Sequence, residues 1–505
     1  MLFNSYEFLF VFLPLALICH FAAARRSPTA AAITTTIASL LFYAWWRPPF
    51  VLLPVLSIVV NYLIARAMLD SEPARVRLLL WFGVTANLLV LGYFKYYDLV
   101  LSAFEQRNPI PPDVPLALSF TTFVQIAFLV EISRRPQKVP PPQYAMFVSF
   151  FPHLIAGPIV RWDELGPQIV DKLRYRIDWN NIALGLTILC LGLAKKILLA
   201  DTLAQYVAPV FDAGAKGIAV APLAVWGASV AFDLQVYFDF SGYSDVAIGL
   251  GLLFNLRLPL NFAAPLRSTS IIDLWRRWHM TLSRFLGDFV YVPLGGSRKG
   301  PARRTINLIV TLTLGGLWHG ANWTCVVWGA FQGVMVAINH LWRDWRGRTA
   351  PSRLGSALGW LMTFTTFTVG LTIFRSANIS TAGRMLAAEV GLAGAPASPQ
   401  IIVPWDFWGI EQGYFSEAFI RAWFGSYWSA LGTLVTLGAL VVALLVPDTA
   451  ELVDYREGDF NPHWRRDVGW LKWQPSPRWA VALLVLFCVA FINMVSFTEF
   501  FYFQF

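Results

Sequence analysis

Charged residues are scarce in this 505-residue chain: they make up 14% of it, whereas hydrophobic residues make up 57%. A soluble domain carries about 25% charged residues, so the composition excludes a chain built only of soluble domains. A helix needs about 20 mostly apolar residues to cross a bilayer, and many runs here approach that length. The main runs are residues 7–24, 30–46, 50–67, 78–94, 182–199, 218–232, 305–318, 358–374, 429–446 and 479–495. The sequence therefore predicts an all-α polytopic membrane protein with about 10–13 membrane-embedded helices.

The sequence also lacks the signals of a metal site, of a disulfide framework and of the common soluble enzymes. The four cysteines, Cys19, Cys190, Cys325 and Cys488, lie inside apolar runs and not at metal-ligand spacing. This favours buried packing and argues against a metal site or a disulfide framework. No Walker loop, HExxH zinc motif or strand-bound GxSxG elbow is present, and no repeat of the kind frequent in transporters. No basic leader or cleavage site precedes the first apolar run, so we expect the first helix to be retained.

The whole chain has a net charge of +9, and its basic residues are concentrated in one stretch. Within residues 266–304 they are Arg267, Arg276, Arg277, Arg284, Arg298, Lys299, Arg303 and Arg304. Basic short loops favour the cytoplasmic side of a membrane, which is where we expect this stretch to lie. Because it is interleaved with membrane spans, anionic lipid or an anionic donor such as coenzyme A fits it better than nucleic acid.

Residues 271–289 have the pattern of an amphipathic helix. Their apolar residues share one helical stripe, and Arg276, Arg277 and Arg284 lie on the other side. This predicts a helix in the membrane interface, whose basic face attracts headgroups or the phosphates of a donor. His279 lies at the edge of the stripe, one turn before Ser283. An ordinary interfacial helix with a structural histidine explains the pattern equally well.

His319 ends the apolar run of residues 305–318. Asn307, Thr311 and Gly315 precede it at helical spacing, which predicts a small, polar helix face. Ionisable residues inside membrane segments are costly and are functional candidates by default. Burial favours the neutral imidazole, the form that a general base requires. A histidine hydrogen-bonded to a neighbouring helix is the alternative.

Residues 238–251 bring two carboxylates, Asp239 and Asp245, into an apolar neighbourhood. Carboxylates at that depth need partners, so structural support is the favoured interpretation, with an interfacial loop as the alternative. In residues 150–161, Pro152 and Pro158 disfavour a regular helix. A broken or re-entrant segment is expected there, with His153 packed in it.

These segments together resemble the membrane-bound O-acyltransferase family, in particular its bacterial alginate O-acetylation subgroup. LWRRWHMTLSRFLGDFVYVPLGG at residues 274–296 and GGLWHGANWTCVVWGAFQG at 315–333 match the two histidine-bearing blocks. The blocks at 236–262, 41–48, 150–161 and the final FYFQF at 501–505 are also similar. Two departures are the stretch SFTTFVQIAFLVEISRR at 119–135 and His153, where the subgroup often has glutamine.

The resemblance implies a single integral membrane domain over residues 1–505, with a histidine-bearing core at about 230–345. It implies helices arranged around a central tunnel, with His319 as the catalytic base and His279 as a second catalytic or positioning residue. The residues expected to bind or support the substrates are Trp278, Arg276, Arg277, Ser283, Arg284, Asp239, Trp318 and Asn322. No permanently bound cofactor is expected, and acetyl-CoA or another acyl thioester is the implied donor.

The same resemblance implies a multi-pass protein of the bacterial inner membrane that O-acetylates an exported, alginate-like polysaccharide. Its implied partners are membrane lipid, an extracytoplasmic SGNH-type acetyltransferase and polysaccharide export machinery. Two alternatives remain at this point: acylation of a lipid or protein hydroxyl in the membrane, and transport of a donor or polymer without chemistry.

Overall fold

The structure is a computed structural model, and it describes residues 1–104, 114–347, 352–392, 430–457, 464 and 466–495. Throughout those ranges the regular elements are helices, and no strand occurs. This confirms the predicted all-α class. The final FYFQF at residues 501–505 lies outside the described residues.

The helices are as follows in chain order. The first are α1 (Leu13–Ala24), α2 (Pro28–Ala44), α3 (Leu52–Leu69), α4 (Pro73–Leu91), α5 (Tyr97–Ala103), α6 (Leu118–Arg134), α7 (Pro141–Ser149), α8 (Phe151–Leu154), α9 (Trp162–Val170) and α10 (Trp179–Ala194). Then come α11 (Asp201–Ala215), α12 (Pro222–Leu253), α13 (Ile271–Arg277), α14 (Met280–Leu286), α15 (Gly300–His319) and α16 (Trp323–Arg346). The last are α17 (Arg353–Arg375), α18 (Ile379–Glu389), α19 (Ala430–Leu445), α20 (Thr449–Val453) and α21 (Pro477–Ile492).

Five helical stretches in the described ranges are long and apolar enough to cross a membrane. They are Pro48–Leu69, Pro73–Ser102, Trp179–Ala215, Trp323–Arg346 and Arg353–Arg375. The first two are little buried, and Leu78, Trp81 and Leu89 in α4 are at least 65% exposed. Apolar side chains exposed over a whole helix face are stable in contact with lipid rather than water. The chain is thus a multi-pass membrane protein.

The described residues group into two compact units. The first contains Met1–Ala194, Ser241–Asn261 and the residues after Thr449. Its core includes a cluster of aromatic rings, with Phe3 stacked on Phe42 and on Tyr243, at centroid distances of 5.3 and 5.1 Å. The second contains Lys195–Phe240 and Phe262–Asp448, and both histidine-bearing blocks fall within it. The predicted single domain remains a prediction.

The chain around Pro152 is irregular, as the two prolines predict. Helix α7 ends at Ser149, only four residues of α8 follow, and an extended stretch leads to α9. His153 is 3% exposed, and its Nε2 lies 3.0 Å from the Phe147 carbonyl oxygen. The packed position expected for this histidine is what the structure shows.

Cysteine packing departs from the prediction at two positions. Cys190 and Cys325 are buried, but Cys19 and Cys488 are exposed. Both exposed residues lie on apolar helices, α1 and α21, so these thiols are on the lipid-facing sides of their helices. The apolar runs showed which helices are hydrophobic, but they did not show which face of each helix turns inward.

Helices α15 and α16 form a tight antiparallel hairpin in the second unit. A Cβ added at Gly316 would lie 2.2 Å from the Cys325 carbonyl oxygen, and one at Gly329 would lie 2.4 Å from that of Leu312. Such backbone-to-backbone approach is possible only where the side chain is hydrogen. These glycines therefore set the distance between the two helices.

Replacing Gly329 tests this packing. Gly329→Ala is expected to reduce the yield of folded protein and to lower its melting temperature in detergent, because overpacking typically costs about 1–3 kcal/mol. Gly383→Ala in α18 is the control, since nothing lies within 4 Å of the added Cβ there. Equal melting temperatures for the two variants would contradict the conclusion that Gly329 sets the distance between α15 and α16.

Candidate functional site

His319 is the last residue of α15, and the helix ends there because Gly320 adopts an extended conformation. Its side chain is only 6% exposed. The ring packs edge-on against Trp328 and Phe374, at centroid distances of 5.2 and 5.8 Å. Thus the imidazole is held in position by aromatic rings from α16 and α17.

His279 lies at a break in the chain, which corrects the predicted continuous helix over residues 271–289. Helix α13 ends at Arg277, α14 begins at Met280, and His279 adopts a left-handed conformation with φ 42° and ψ 54°. That region is unfavourable for a residue with a Cβ, so the surrounding structure must hold His279 in it. Since no glycine or proline marks the break, the local sequence carried no signal for it.

The break brings the two histidines together. Their ring centroids are 6.2 Å apart, and His279 is 1% exposed between Phe240 and Trp318. Burial lowers the pKa of His279 well below its ordinary value, and the neighbouring His319 lowers this pKa further. His279 is accordingly a neutral imidazole at physiological pH, able to donate one hydrogen bond and accept another.

A cavity of about 230 Å³ leads away from His319 between α14, α15 and α16. On α16 it is lined by residues four apart, Trp328, Gln332, Val336 and His340, which form one stripe. From Trp328 to His340 this stripe extends about 18 Å along the helix axis. The cavity is thus an elongated groove with His319 near one end.

The other end of the groove is basic. The exposed Arg276 lines it beside His340, and the charges of Arg304 and Arg343 act on His340 as well. Arg304 is also paired with Asp344. This end therefore provides a positive surface suited to phosphate groups.

The predicted site residues fall into two groups. Three of them, Arg276, Ser283 and His319, line the groove. Ser283 also donates hydrogen bonds to the carbonyl oxygens of Trp275 and Trp278, at 3.2 and 3.3 Å. Its hydroxyl therefore holds the chain at the break on which the position of His279 depends.

The other predicted residues lie in the surrounding structure. Arg277 pairs with Asp273 at 2.7 Å, and Arg284 is half-buried on α14. Trp278 packs on Phe367 at 4.9 Å, and Trp318 packs on both histidines.

Asn322 begins α16. Its side chain accepts a hydrogen bond from the Thr324 N–H, and it donates one to the Ala377 carbonyl oxygen. It is thus an N-cap that also ties the start of α16 to the chain after α17.

Asp239 has the partner that its burial requires. It lies on the continuous helix α12, which excludes the interfacial loop as an alternative. Its carboxylate is 2.7 Å from the Lys196 ammonium, which also contacts Asp201 at 2.8 Å. The Asp245 carboxylate accepts a hydrogen bond from Thr449 at 2.6 Å. Both carboxylates therefore support the structure, as the sequence favoured.

Sequence reasoning gave no site role to several residues that line the groove, among them Trp275, Trp328, Gln332 and His340. The spacing of Trp328, Gln332, Val336 and His340 was the available signal. That spacing indicates one helix face, but it does not reveal that the face lines a cavity. Among the described residues, no group of three His, Cys, Asp or Glu side chains is placed to bind a metal ion.

Comparison with known proteins agrees with this geometry. The sequence profile of MBOAT, the membrane-bound O-acyltransferase family, matches residues 119–374, which include both histidines. A peptidoglycan O-acetyltransferase of Helicobacter pylori is 38% identical, with 78% of this chain and 80% of the relative aligned. Probable alginate O-acetylases AlgI are 39% identical in Azotobacter vinelandii and 36% in Pseudomonas aeruginosa. Those alignments cover 77% of this chain and 78% and 74% of the relatives.

The family profile matches half of the chain, and the relatives align with most of it. Both findings fit the pair of buried histidines in a membrane-embedded helical unit. This chain therefore belongs to the membrane-bound O-acyltransferase family and is an O-acyltransferase.

Proposed function

We propose that the protein transfers acetyl groups from cytoplasmic acetyl-CoA for the O-acetylation of an exported cell-surface polysaccharide. The observation that carries the proposal is the groove that joins His319, whose ring centroid is 6.2 Å from that of His279, to a basic end. An acyl thioester with a long arm and terminal phosphates has the matching layout: a reactive carbonyl at one end and negative charge at the other.

The basic end supports a donor that arrives from the cytoplasmic side. Positively charged residues near the ends of membrane helices favour the cytoplasm. Arg303 and Arg304 lie near the start of α15, and Arg343 and Arg346 near the end of α16. The antiparallel hairpin brings these four cations to the same end of the groove, where the coenzyme A phosphates bind.

His319 is the proposed catalytic base. Its neutral imidazole takes the proton from an acceptor hydroxyl, and the hydroxyl oxygen forms a new bond to the thioester carbonyl carbon. The carbon–sulfur bond then breaks, and the coenzyme A thiolate leaves with the proton returned by the imidazolium. The products are an acetyl ester and free coenzyme A, so no other reactant is needed.

His279 is proposed to position the reacting groups. It is near enough to His319 for one bound thioester to contact both side chains. As a neutral imidazole it can donate a hydrogen bond to the carbonyl oxygen or accept one from the acceptor hydroxyl. The left-handed backbone holds its ring at that place without a conformational change during the reaction.

The acceptor side is proposed from the named activities of the relatives, which act on peptidoglycan and alginate. Both are polymers outside the cytoplasm, so the acetyl group must pass from a cytoplasmic donor to the outer side. An extracytoplasmic SGNH-type partner with a hydroxyl nucleophile can receive it and complete the transfer beside the export machinery. A cytoplasmic donor and an acceptor outside the cytoplasm support a location in the bacterial inner membrane.

Membrane vesicles of defined orientation test on which side of the membrane the acetyl donor is used. Everted vesicles, which expose the cytoplasmic face, are expected to use added [14C]acetyl-CoA to form ester-linked acetate, and sealed right-side-out vesicles are not. Vesicles from a deletion strain are the control. Transfer only by right-side-out vesicles would contradict the cytoplasmic donor, and equal labelling in the deletion strain would contradict the enzyme's role.

A further inference from the structure

Two carboxyl groups are buried in the second compact unit without a cation beside them. Asp233 on α12 is 0% exposed, and Glu389, the last residue of α18, is 7% exposed. Within the described ranges neither carboxyl forms an ion pair, and the side chains that contact them are hydroxyls. Asp233 Oδ1 is a buried atom with no hydrogen-bond partner among those residues. An ionised carboxylate in such surroundings is very costly, so the charge state of the two acids needs an explanation.

The two carboxyls belong to a polar ladder between α12, α17 and α18. On the first rung the Thr368 hydroxyl contacts the Asp233 carboxyl. The second rung lies one turn away on both helices, where the hydroxyls of Ser229 and Thr372 are 2.8 Å apart. Glu389 Oε1 joins this rung, at 2.7 Å from the Thr372 hydroxyl and 3.1 Å from that of Ser229. Because buried hydrogen-bond networks favour one arrangement of the groups they join, the ladder fixes α17 against α12 and α18.

The number of available protons indicates the charge state. Thr368 Oγ1 contacts the Asp233 carboxyl and lies 3.0 Å from the Phe364 carbonyl oxygen. A hydroxyl has one proton and a carbonyl oxygen can only accept, so both contacts are hydrogen bonds only if the carboxyl is protonated and donates to Thr368. The Thr372 hydroxyl has the same arrangement, between Glu389 at 2.7 Å and the Thr368 carbonyl oxygen at 3.1 Å. A proton on each carboxyl supplies both missing donors and removes both uncompensated charges.

Helix α17 also carries two aromatic rings that pack on the histidine blocks. Phe374 packs edge-on against His319 at a centroid distance of 5.8 Å. Phe367 packs on Trp278, the residue before His279, at 4.9 Å. The two rings are seven residues apart and so lie on one face of α17, whereas the two threonines of the ladder lie on another face. The position of α17, which the ladder fixes, therefore sets the position of both rings.

We infer that Asp233 and Glu389 are neutral carboxylic acids that position the catalytic histidines through α17. Both are positioning residues, because they contact α17 and neither lines the groove. The inference rests on the proposed role of His319 as the base. The residues that line the groove come from the stretch between α13 and α16, so α17 affects the chemical step more than it affects donor binding.

Substitutions that keep or remove the hydrogen bonds test the positioning role. Asp233→Leu retains the volume but removes the donor, and it is expected to lower kcat roughly 10- to 100-fold with little change in KM for acetyl-CoA. Asp233→Asn stays neutral and keeps an N–H for Thr368, so it should retain most of the rate. Glu389→Met and Glu389→Gln should follow the same order. Everted vesicles supply the native acceptor, and [14C]acetyl-CoA at several concentrations gives kcat and KM per amount of enzyme.

Thr363→Val is the matched control within α17. Thr363 is 5% exposed, and in the described part of the chain its hydroxyl bonds only to the Gly359 carbonyl oxygen of its own helix, at 2.7 Å. This variant should keep the wild-type kcat. Thr368→Val, which removes the partner of Asp233, should lower kcat. It also tests the first rung if Asp233→Leu fails to reach the membrane.

Infrared spectroscopy of the purified protein tests the charge state directly. Exposed carboxyl groups are ionised at about pH 7, so the carbonyl stretch of a protonated carboxyl comes from buried acids. The difference spectrum between wild type and Asp233→Asn should show the loss of one such band, and so should that between wild type and Glu389→Gln. The difference spectrum for Thr363→Val should show no loss.

Specific results overturn the inference. Difference spectra without a protonated-carboxyl band would mean that the acids are ionised. An unchanged kcat in both Asp233→Leu and Thr368→Val would remove α17 from the positioning of the histidines, and a raised KM at unchanged kcat would place the effect in donor binding. An equal loss in Asp233→Asn and Asp233→Leu would mean that the rate does not depend on a neutral donor there. Wild-type vesicles that form no labelled ester contradict the proposed function instead, and the infrared bands then still decide the charge state.

Discussion

His319→Ala is expected to lower the rate of acetyl transfer by roughly 10²–10⁴-fold, the usual contribution of a positioned general base. The reason is that the imidazole lies at one end of the groove, packed by Trp328 and Phe374, and the substitution leaves no base in its place. The measurement is ester-linked acetate on cell-surface polysaccharide, together with thiol release from acetyl-CoA by the purified protein.

Two variants accompany it as controls. His319→Gln retains most of the side-chain volume and should be equally inactive, which excludes a cavity as the cause. His20→Gln changes another buried histidine, one that contacts Thr35 at 2.7 Å in the first compact unit, and should keep activity. Full acetate in a strain whose His319→Ala protein is abundant in the membrane would remove His319 from the mechanism.

Lys196→Met is expected to produce the largest loss of stability, about 3–5 kcal/mol of the free energy of unfolding. The Lys196 ammonium is the cation between two carboxylates, Asp239 and Asp201, and the side chains of Lys196 and Asp239 are each only 3% exposed. Its removal leaves two negative charges close together in an apolar region, without the cation between them. The melting temperature of the purified protein in detergent measures the effect.

A second substitution distinguishes charge from packing. Lys196→Met combined with Asp239→Asn removes one of the two charges and should recover much of the lost stability. Lys472→Met is the matched control, because Lys472 forms an exposed ion pair with Asp454, at 2.9 Å, whose loss costs at most about 1 kcal/mol. If the two single variants melt at the same temperature, the buried ion pair does not stabilise the fold.

The sequence predicted several features correctly because they depend on local pattern. Low charge and long apolar runs are sufficient to predict membrane helices, since the bilayer requires both. The prolines at 152 and 158 predicted an irregular segment, because proline removes a backbone donor. The small and polar face of α15, with Asn307, Thr311 and Gly315 buried, followed from helical spacing alone.

The errors arose where one residue departs from its local pattern. Residues 271–289 have a helical stripe, but His279 interrupts it, and no local signal predicts a left-handed histidine. The exposed thiols of Cys19 and Cys488 show the same limit, since an apolar run does not reveal which of its faces meets lipid.

The sequence by itself determined that the chain is an all-α membrane protein, that its histidine blocks are those of an acyltransferase, and that Asp239 and Asp245 need partners. The first and last of these conclusions rest on composition and on the cost of burying charge, and the second rests on resemblance to a family; all three concern single segments of the chain. Only the tertiary structure decided that His279 meets His319, that Lys196 is the partner of Asp239, and that one groove leads from His319 to a basic end. Each of these involves residues from different helices, and their distances are set by close packing, which no local pattern encodes.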